Sequence, residues 1–104
     1  MSPENALKLL SNPTRVAVLK WLKHPEEAFA GYTQLYPFDQ YGVCASLIQD
    51  KAGLSQPATS LCLKALHSAG LVEASKVGKW TYYRRAESRI REITDVLTQS
   101  LQAL

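Results

Sequence analysis

The sequence predicts one mainly α-helical domain that carries a small β-hairpin. Apolar residues recur at spacings of three and four in five separate segments of the 104-residue chain, which indicates helices. Residues 71–85 instead alternate and are rich in Val, Trp, Thr and Tyr, which is typical of a hairpin. A chain of this length suits a single domain, residues 1–104, with its own core.

Two short helices are predicted at the start of the chain. The first covers residues 3–10, where Pro3 suits the first helical turn and apolar residues follow. The stretch SNPT at residues 11–14 interrupts this pattern and supplies a helix cap. A second helix then runs over about residues 15–23, and Pro25 ends it.

Residues 24–41 differ in composition from both neighbouring segments. They contain two prolines, one glycine and five aromatic residues, so we expect a loop that includes a turn of helix at most. A loop this long in a small domain is often functional. A third helix is predicted over about residues 43–52, and Gly53 ends it.

Residues 53–72, GLSQPATSLCLKALHSAGLV, predict a fourth helix with clear ends. Ser55 caps its start, Pro57 is tolerated in its first turn, and Gly70 closes it. The expected buried stripe consists of Leu63, Leu66 and Ala69. The early part of the helix also carries a polar row formed by Gln56, Thr59 and Ser60. A core helix does not need that row, so we expect it to contact a polar partner.

The period of the sequence changes after this helix. In residues 71–85, Gly78 stands between Lys76 and Lys79, which predicts a β-hairpin with a basic tip. A last helix is predicted over residues 88–104 from the apolar positions Ile90, Ile93, Leu97, Leu101 and Leu104. Residues 43–69 therefore form a helix-turn-helix, and the hairpin that follows makes it a winged one.

The net charge of +3 is unevenly distributed along the chain. Residues 1–50 carry four basic and five acidic residues, whereas residues 51–91 carry eight basic and two acidic residues. A basic zone beside a helix with a polar row is typical of a protein that binds a polyanion. A solvated surface is the alternative explanation.

Three stretches resemble the ArsR/SmtB family of bacterial winged-helix repressors. LSQPATSLCLKALHSAGLV is similar to the family's recognition-helix signature, GKWTYYRR to the second strand of its wing, and LSNPTRVAVLKWL to the opening of its second helix. The resemblance covers nearly the whole chain except residues 24–41, which look like an insertion. It implies a homodimeric repressor that binds operator DNA and is released by an effector.

Double-stranded DNA is therefore the expected partner, and two groups of residues are expected to contact it. Gln56, Thr59 and Ser60 are candidates for base or phosphate contacts, because Gln pairs with adenine edges and hydroxyl groups serve several bases. Ordinary helix capping and solvation are the alternative for these three residues. The residues expected to contact phosphates are Lys64, Lys76 and Lys79. Of Arg84 and Arg85 on the returning strand, one is expected to reach DNA, with Arg84 as the candidate, and the other to pair with a carboxylate.

The first and last helices, residues 1–10 and 88–104, are expected to form the dimer interface, as the resemblance implies. The expected interface residues are Leu7, Leu10, Ile90, Ile93, Leu97 and Leu101. Packing within their own domain is the alternative. A symmetric dimer matches an inverted-repeat operator with half-sites about one helical turn apart.

The effector is not readable from these residues. Metal-sensing relatives carry several thiolates at the start of the third helix, whereas this chain has Cys44 alone there, so we expect neither a metal nor a cofactor. A redox role for Cys44 and Cys62 stays open, and simple packing is its alternative. An organic effector bound by aromatic residues also stays open, with Trp21, Tyr32, Tyr36 and Tyr41 as candidates.

Other functions fit the sequence less well. It contains no catalytic triad, paired carboxylates or phosphate loop, so we do not expect an enzyme. A winged helix that binds a protein instead of DNA is the main alternative, but it would not need the basic wing. The absence of a secretion signal and of an apolar run of about 18 residues predicts a cytoplasmic protein that does not contact membranes.

Overall fold

The computed structural model describes all residues from Met1 to Leu104 and confirms the mainly helical fold with a hairpin. The fold consists of seven helices and one three-stranded antiparallel sheet. In chain order the elements are α1 (Pro3–Leu10), α2 (Pro13–Lys23), α3 (Pro25–Ala28), α4 (Phe38–Tyr41), β1 (Val43–Cys44), α5 (Ala45–Ala52), α6 (Gln56–Ser68), β2 (Val72–Val77), β3 (Trp80–Arg85) and α7 (Glu87–Gln102). None of these helices has the length and apolar character needed to cross a bilayer.

Side-chain caps fix where the helices begin. The Ser2 hydroxyl accepts a hydrogen bond from the Asn5 N–H at the start of α1, and Ser55 does the same for Ala58 at the start of α6. The Asn12 side chain accepts from the N–H groups of Thr14 and Arg15. Because Asn12 is the cap, α2 begins at Pro13, two residues earlier than predicted.

The sheet contains one strand that the sequence analysis missed. Val43 and Cys44 form β1, which pairs with Tyr83 and Tyr82 of β3, so that β3 is the central strand. The third predicted helix is therefore wrong at its start, and α5 begins at Ala45. Val43 and Cys44 are 0% and 4% exposed, and the pairing satisfies backbone groups that burial would otherwise leave without partners.

The core lies between α2, α5, α6, α7 and one face of the sheet. Its most buried large side chains on the helices include Val18, Ile48, Leu63 and Leu66. The last helix joins this core through Ile93, which is 6% exposed. This packing holds the helix-turn-helix, α5 and α6, in a fixed position against the hairpin.

Residues 24–41, the insertion, contain two single-turn helices rather than a loop with one turn at most. Pro25 starts α3 and Pro37 precedes α4, since proline suits a helix start. Between them, the Gln34 side chain donates to the carbonyl groups of Tyr36 and Gly42, both at 2.8 Å, and accepts from the Cys44 N–H at 2.9 Å. The bond from Cys44 fixes the insertion to β1, and the other two hold the backbone of the insertion at Tyr36 and of Gly42 just before β1.

Candidate nucleic-acid interface

A groove lies between α6, the start of α5 and the hairpin of β2 and β3, which we call the wing. Its volume is about 430 Å³. The helix-turn-helix lines one wall and the wing lines the other. The lining residues that can hydrogen-bond through side chains are Ser46, Gln49, Gln56, Thr59, Ser60, Lys64, His67, Lys79, Trp80, Thr81 and Tyr83.

Several polar side chains of this groove have no hydrogen-bonding or ion-pair partner within the chain. Gln56, Ser60 and Lys64 are exposed, and none of the three makes a side-chain hydrogen bond or ion pair. The groove contains two lysines and no carboxylate. It therefore has a positive potential and hydrogen-bonding groups available to an outside ligand.

One member of the predicted polar row is placed differently. Thr59 is 4% exposed, and its hydroxyl donates to the Ser55 carbonyl at 2.9 Å. The residue lies on the buried side of α6 with Leu63 and Leu66, so its side chain belongs to the floor of the groove. This placement argues against the predicted contact of Thr59 with DNA, because its hydroxyl proton already has a partner and its side chain is buried.

The wing supplies two lysines near its tip. Lys76 pairs in register with Thr81 and is exposed, and Gly78 makes the turn with a φ of +61°. The Lys79 ammonium lies 5.4 Å from the centre of the Trp80 ring, a weak contact at an exposed site. Both lysines are thus free to meet an anion, and Lys79 faces the groove.

Arg84, on the second strand of the wing, lies on a different face from the two lysines. Its guanidinium contacts the Glu73 carboxylate at 3.4 Å and donates to the Gln40 carbonyl at 3.3 Å, on the side of the sheet that faces the insertion. Strand alternation explains this, because Arg84 shares a face with Tyr82, which packs on Tyr36 of the insertion. This placement argues against the predicted contact of Arg84 with DNA, and the salt dependence of binding can test it.

Several groove residues were not singled out from the sequence. Ser46 and Gln49 lie at the start of α5, and Trp80 and Thr81 lie in the wing. His67 follows Gln56 by eleven residues and Ser60 by seven, so helical spacing alone places it on the same side of α6. The residues of α5 and the wing required the tertiary structure.

The predicted dimer residues divide into buried and exposed groups. Ile93 lies in the core of its own chain, which favours the alternative of packing within its own domain for this residue. Leu10, Ile90 and Leu97 are partly buried against that core. Leu7 and Leu101 are 61% and 70% exposed, and they line an apolar surface groove of about 290 Å³ between α1 and α7.

The aromatic candidates for an effector site form two separate packed clusters. Phe29 packs edge-to-face with Trp21 at 6.3 Å and with Tyr32 at 5.5 Å between ring centres. Tyr36 and Tyr41 instead pack on each other, with ring centres 4.7 Å apart. The Tyr32 hydroxyl also donates to Asp50 at 3.0 Å, which raises the pKa of Tyr32. The four candidates thus do not line one common pocket.

The two cysteines are free thiols in different surroundings. Cys44 is buried and its sulfur lies 3.2 Å from the Ser46 hydroxyl. Burial raises the pKa of the Cys62 thiol, and the nearby charge of Arg15 offsets part of that effect. A raised pKa lowers the thiolate fraction, which disfavours reaction at Cys62. No three His, Cys, Asp or Glu side chains come together as a metal site.

Comparison with known proteins identifies relatives along nearly the whole chain, although no family model matches it. The chain is 40% identical over 97 residues to the uncharacterized HTH-type transcriptional regulator YbzH of Bacillus subtilis, covering 93% of this chain and 96% of YbzH. It is 31% identical over 98 residues to the putative arsenical resistance operon repressor ArsR2 of Halobacterium salinarum, covering 94% of this chain and 66% of ArsR2.

Solved structures agree with these relatives. A crystal structure of a possible transcriptional regulatory protein from Mycobacterium bovis matches with a TM-score of 0.61 at 27% identity, covering 97% of this chain and 90% of that one. An NMR structure of the M. bovis protein Mb0332, a possible ArsR-family regulator described as a homodimeric winged helix-turn-helix DNA-binding domain, matches with a TM-score of 0.59 at 27% identity, covering 97% of this chain and 80% of that one. The chain belongs to the ArsR family of winged helix-turn-helix transcriptional regulators.

Proposed function

We propose that this regulator is a homodimeric repressor that binds double-stranded operator DNA through the groove between α6 and the wing. The observation that carries the proposal is the groove itself, which has two lysines, no carboxylate and exposed polar side chains without internal partners. A cytoplasmic location goes with this function. The described homodimer and DNA-binding domain of the M. bovis relative support the same assembly and ligand.

Within the groove, helix α6 acts as the recognition helix in the major groove of DNA. Gln56, in its first turn, is placed to pair with an adenine edge, and Ser60 follows it one turn later. Lys64 and the wing residues Lys76 and Lys79 contact phosphates, which position the protein without reading sequence.

The dimer forms through the apolar surface of α1 and α7, where Leu7 and Leu101 are exposed. Covering these side chains with the same surface of a second copy removes apolar area from water, and a two-fold axis presents both recognition helices to an inverted repeat. Leu101→Asp is expected to shift the protein from dimer to monomer in sedimentation velocity. A dimer that persists after this change would place the interface elsewhere.

Titration of the purified protein with DNA from upstream of its own gene tests the proposal. A scrambled duplex of the same composition serves as the comparison, and two salt concentrations separate phosphate contacts from base contacts. We expect tighter binding to the upstream duplex and weaker binding to both duplexes at the higher salt. Equal, weak binding of both duplexes would favour the protein-binding alternative for the winged helix.

A matched pair of variants assigns the binding to the groove. Gln56→Ala is expected to reduce the preference for the upstream duplex by a factor of about 5 to 150 per half-site, because one good bidentate base contact contributes about 1–3 kcal/mol of discrimination. Gln40→Ala changes an exposed glutamine of the insertion and leaves the preference intact.

Repeating the titration with reduced and oxidised protein tests the redox alternative for Cys44 and Cys62.

A further inference from the structure

An exposed leucine stands in the middle of the recognition helix. Leu61 is 69% exposed and is absent from the side chains that pack against the core. Helical geometry places it on the side of α6 opposite to Leu66, which is 0% exposed. Its neighbours on this outward side are Ser60 and Lys64, which are both polar and exposed.

This position is unlike those of most other exposed large apolar side chains. Leu7, Leu101 and Leu104 belong to the surface formed by α1 and α7, and Leu35 lies in the insertion. Leu61 instead lies on α6 next to the groove, outside its lining, on the solvent-facing side of the helix beside Lys64, which does line the groove. If α6 enters the major groove of DNA, Leu61 contacts the groups that the base edges expose there.

The major groove of DNA has one apolar group, the C5-methyl of thymine. A leucine side chain offers no hydrogen bond to the other base edges, and it would leave their donors and acceptors without partners. We propose that Leu61 contacts a thymine methyl group and so specifies thymine at one position of each half-site. This inference rests on the proposed function, because it requires α6 to enter the major groove.

Replacing thymine by deoxyuridine tests the contact, since deoxyuridine lacks only the methyl group. The probe is the duplex that binds specifically in the titration above or, failing that, one selected from a randomised pool. Each thymine is replaced in turn, symmetrically in both half-sites, and Kd is measured for the wild type and for Leu61→Ala. Removing one buried methyl group is expected to weaken wild-type binding about fourfold per half-site, which is about fifteenfold for the dimer.

The expected result is one thymine position at which the wild type loses affinity and Leu61→Ala does not. Leu35→Ala, which removes a leucine that is 75% exposed in the insertion, serves as the control and keeps the wild-type response. Circular dichroism checks that both variants are folded. Specific binding in which every thymine gives the same ratio for wild type and Leu61→Ala would overturn the inference and leave the proposed function intact. Failure of every duplex to bind specifically would overturn both.

Discussion

The groove and the insertion use their polar side chains in opposite ways. In the insertion, one glutamine, Gln34, makes three hydrogen bonds, and the Tyr32 hydroxyl donates to Asp50. In the groove, Gln56 and Lys64 are exposed and make no side-chain hydrogen bond or ion pair. Two residues of the same type thus differ: Gln34 is bonded within the chain, whereas Gln56 is free.

This difference separates residues that maintain the fold from residues that meet a ligand. A side chain with a full set of internal partners must break them before it can bind anything else, and a buried group left unpaired costs stability. A free side chain at the surface only exchanges water for the ligand. Variants of the internally bonded or buried residues of the insertion should therefore change the free energy of unfolding, whereas variants of the free side chains in the groove should change DNA affinity and leave folding nearly unchanged.

The largest expected effect follows from removing the ring at the centre of the insertion. Phe29 is 1% exposed, and three other aromatic rings pack around it. Phe29→Ala should lower the free energy of unfolding by about 3–5 kcal/mol, measured by urea denaturation. Leu35→Ala, an exposed apolar residue of the same segment, should change it by less than about 0.5 kcal/mol. A Phe29 variant as stable as the wild type would mean that the insertion does not contribute to the core.

A smaller loss is expected from the glutamine that fixes the insertion to β1. Gln34→Ala removes three hydrogen bonds, one of them to the N–H of the buried Cys44, and should cost about 2–3 kcal/mol in urea denaturation. The control is Gln40→Ala, whose exposed side chain makes no hydrogen bond, and which should be neutral. Equal losses for the two variants would contradict the role assigned to Gln34.

In the wing, the comparison is between a lysine without an ion pair and an arginine with one. Lys79→Ala should weaken binding to all DNA sequences and lower the slope of log K against log salt by about one per protomer. Arg84→Ala should leave that slope unchanged, because Arg84 contacts Glu73 and the Gln40 carbonyl instead. A salt slope that responds to Arg84 and not to Lys79 would reverse the assignment of the two residues.

The smallest effect is expected at Thr59. Thr59→Val keeps the shape of the side chain and removes one hydrogen bond to the Ser55 carbonyl, which still accepts from the Thr59 N–H. The free energy of unfolding should fall by less than about 1 kcal/mol, and the ratio of specific to nonspecific DNA binding should not change. A reduced ratio would return Thr59 to the set of residues that contact bases.

The elements with local signals were predictable from the sequence. The helices α1, α2, α6 and α7 show apolar periodicity, and most have caps or proline at their starts, while the hairpin follows from Gly78 and the alternation around it. The strand β1 was not predictable in this way, because two residues are too few to show a period. Its partner, β3, lies about forty residues away along the chain.

For the site, the structure departs from the sequence-based expectation where tertiary contacts decide. Arg84 and Ile93 each have a residue type that suits the predicted role, but within the chain Arg84 pairs with Glu73 and Ile93 packs in the core. Thr59 could have been placed correctly, because it precedes Leu63 by four residues and Leu66 by seven and so falls on the buried stripe. The groove residues of α5 and the wing could not, since only the folded chain brings them to α6.

The close approach of Gly42 to the wing has a consequence for engineering this regulator. Gly42 has a φ of +88°, and a Cβ atom there would overlap the backbone carbonyl of Tyr83 in β3. Any side chain at this position must therefore move either β1 or the central strand, and β3 is also one of the two strands of the wing. On the proposed function, we expect that selections for altered DNA affinity return changes at this position, on the sheet's outer edge, as well as in the groove.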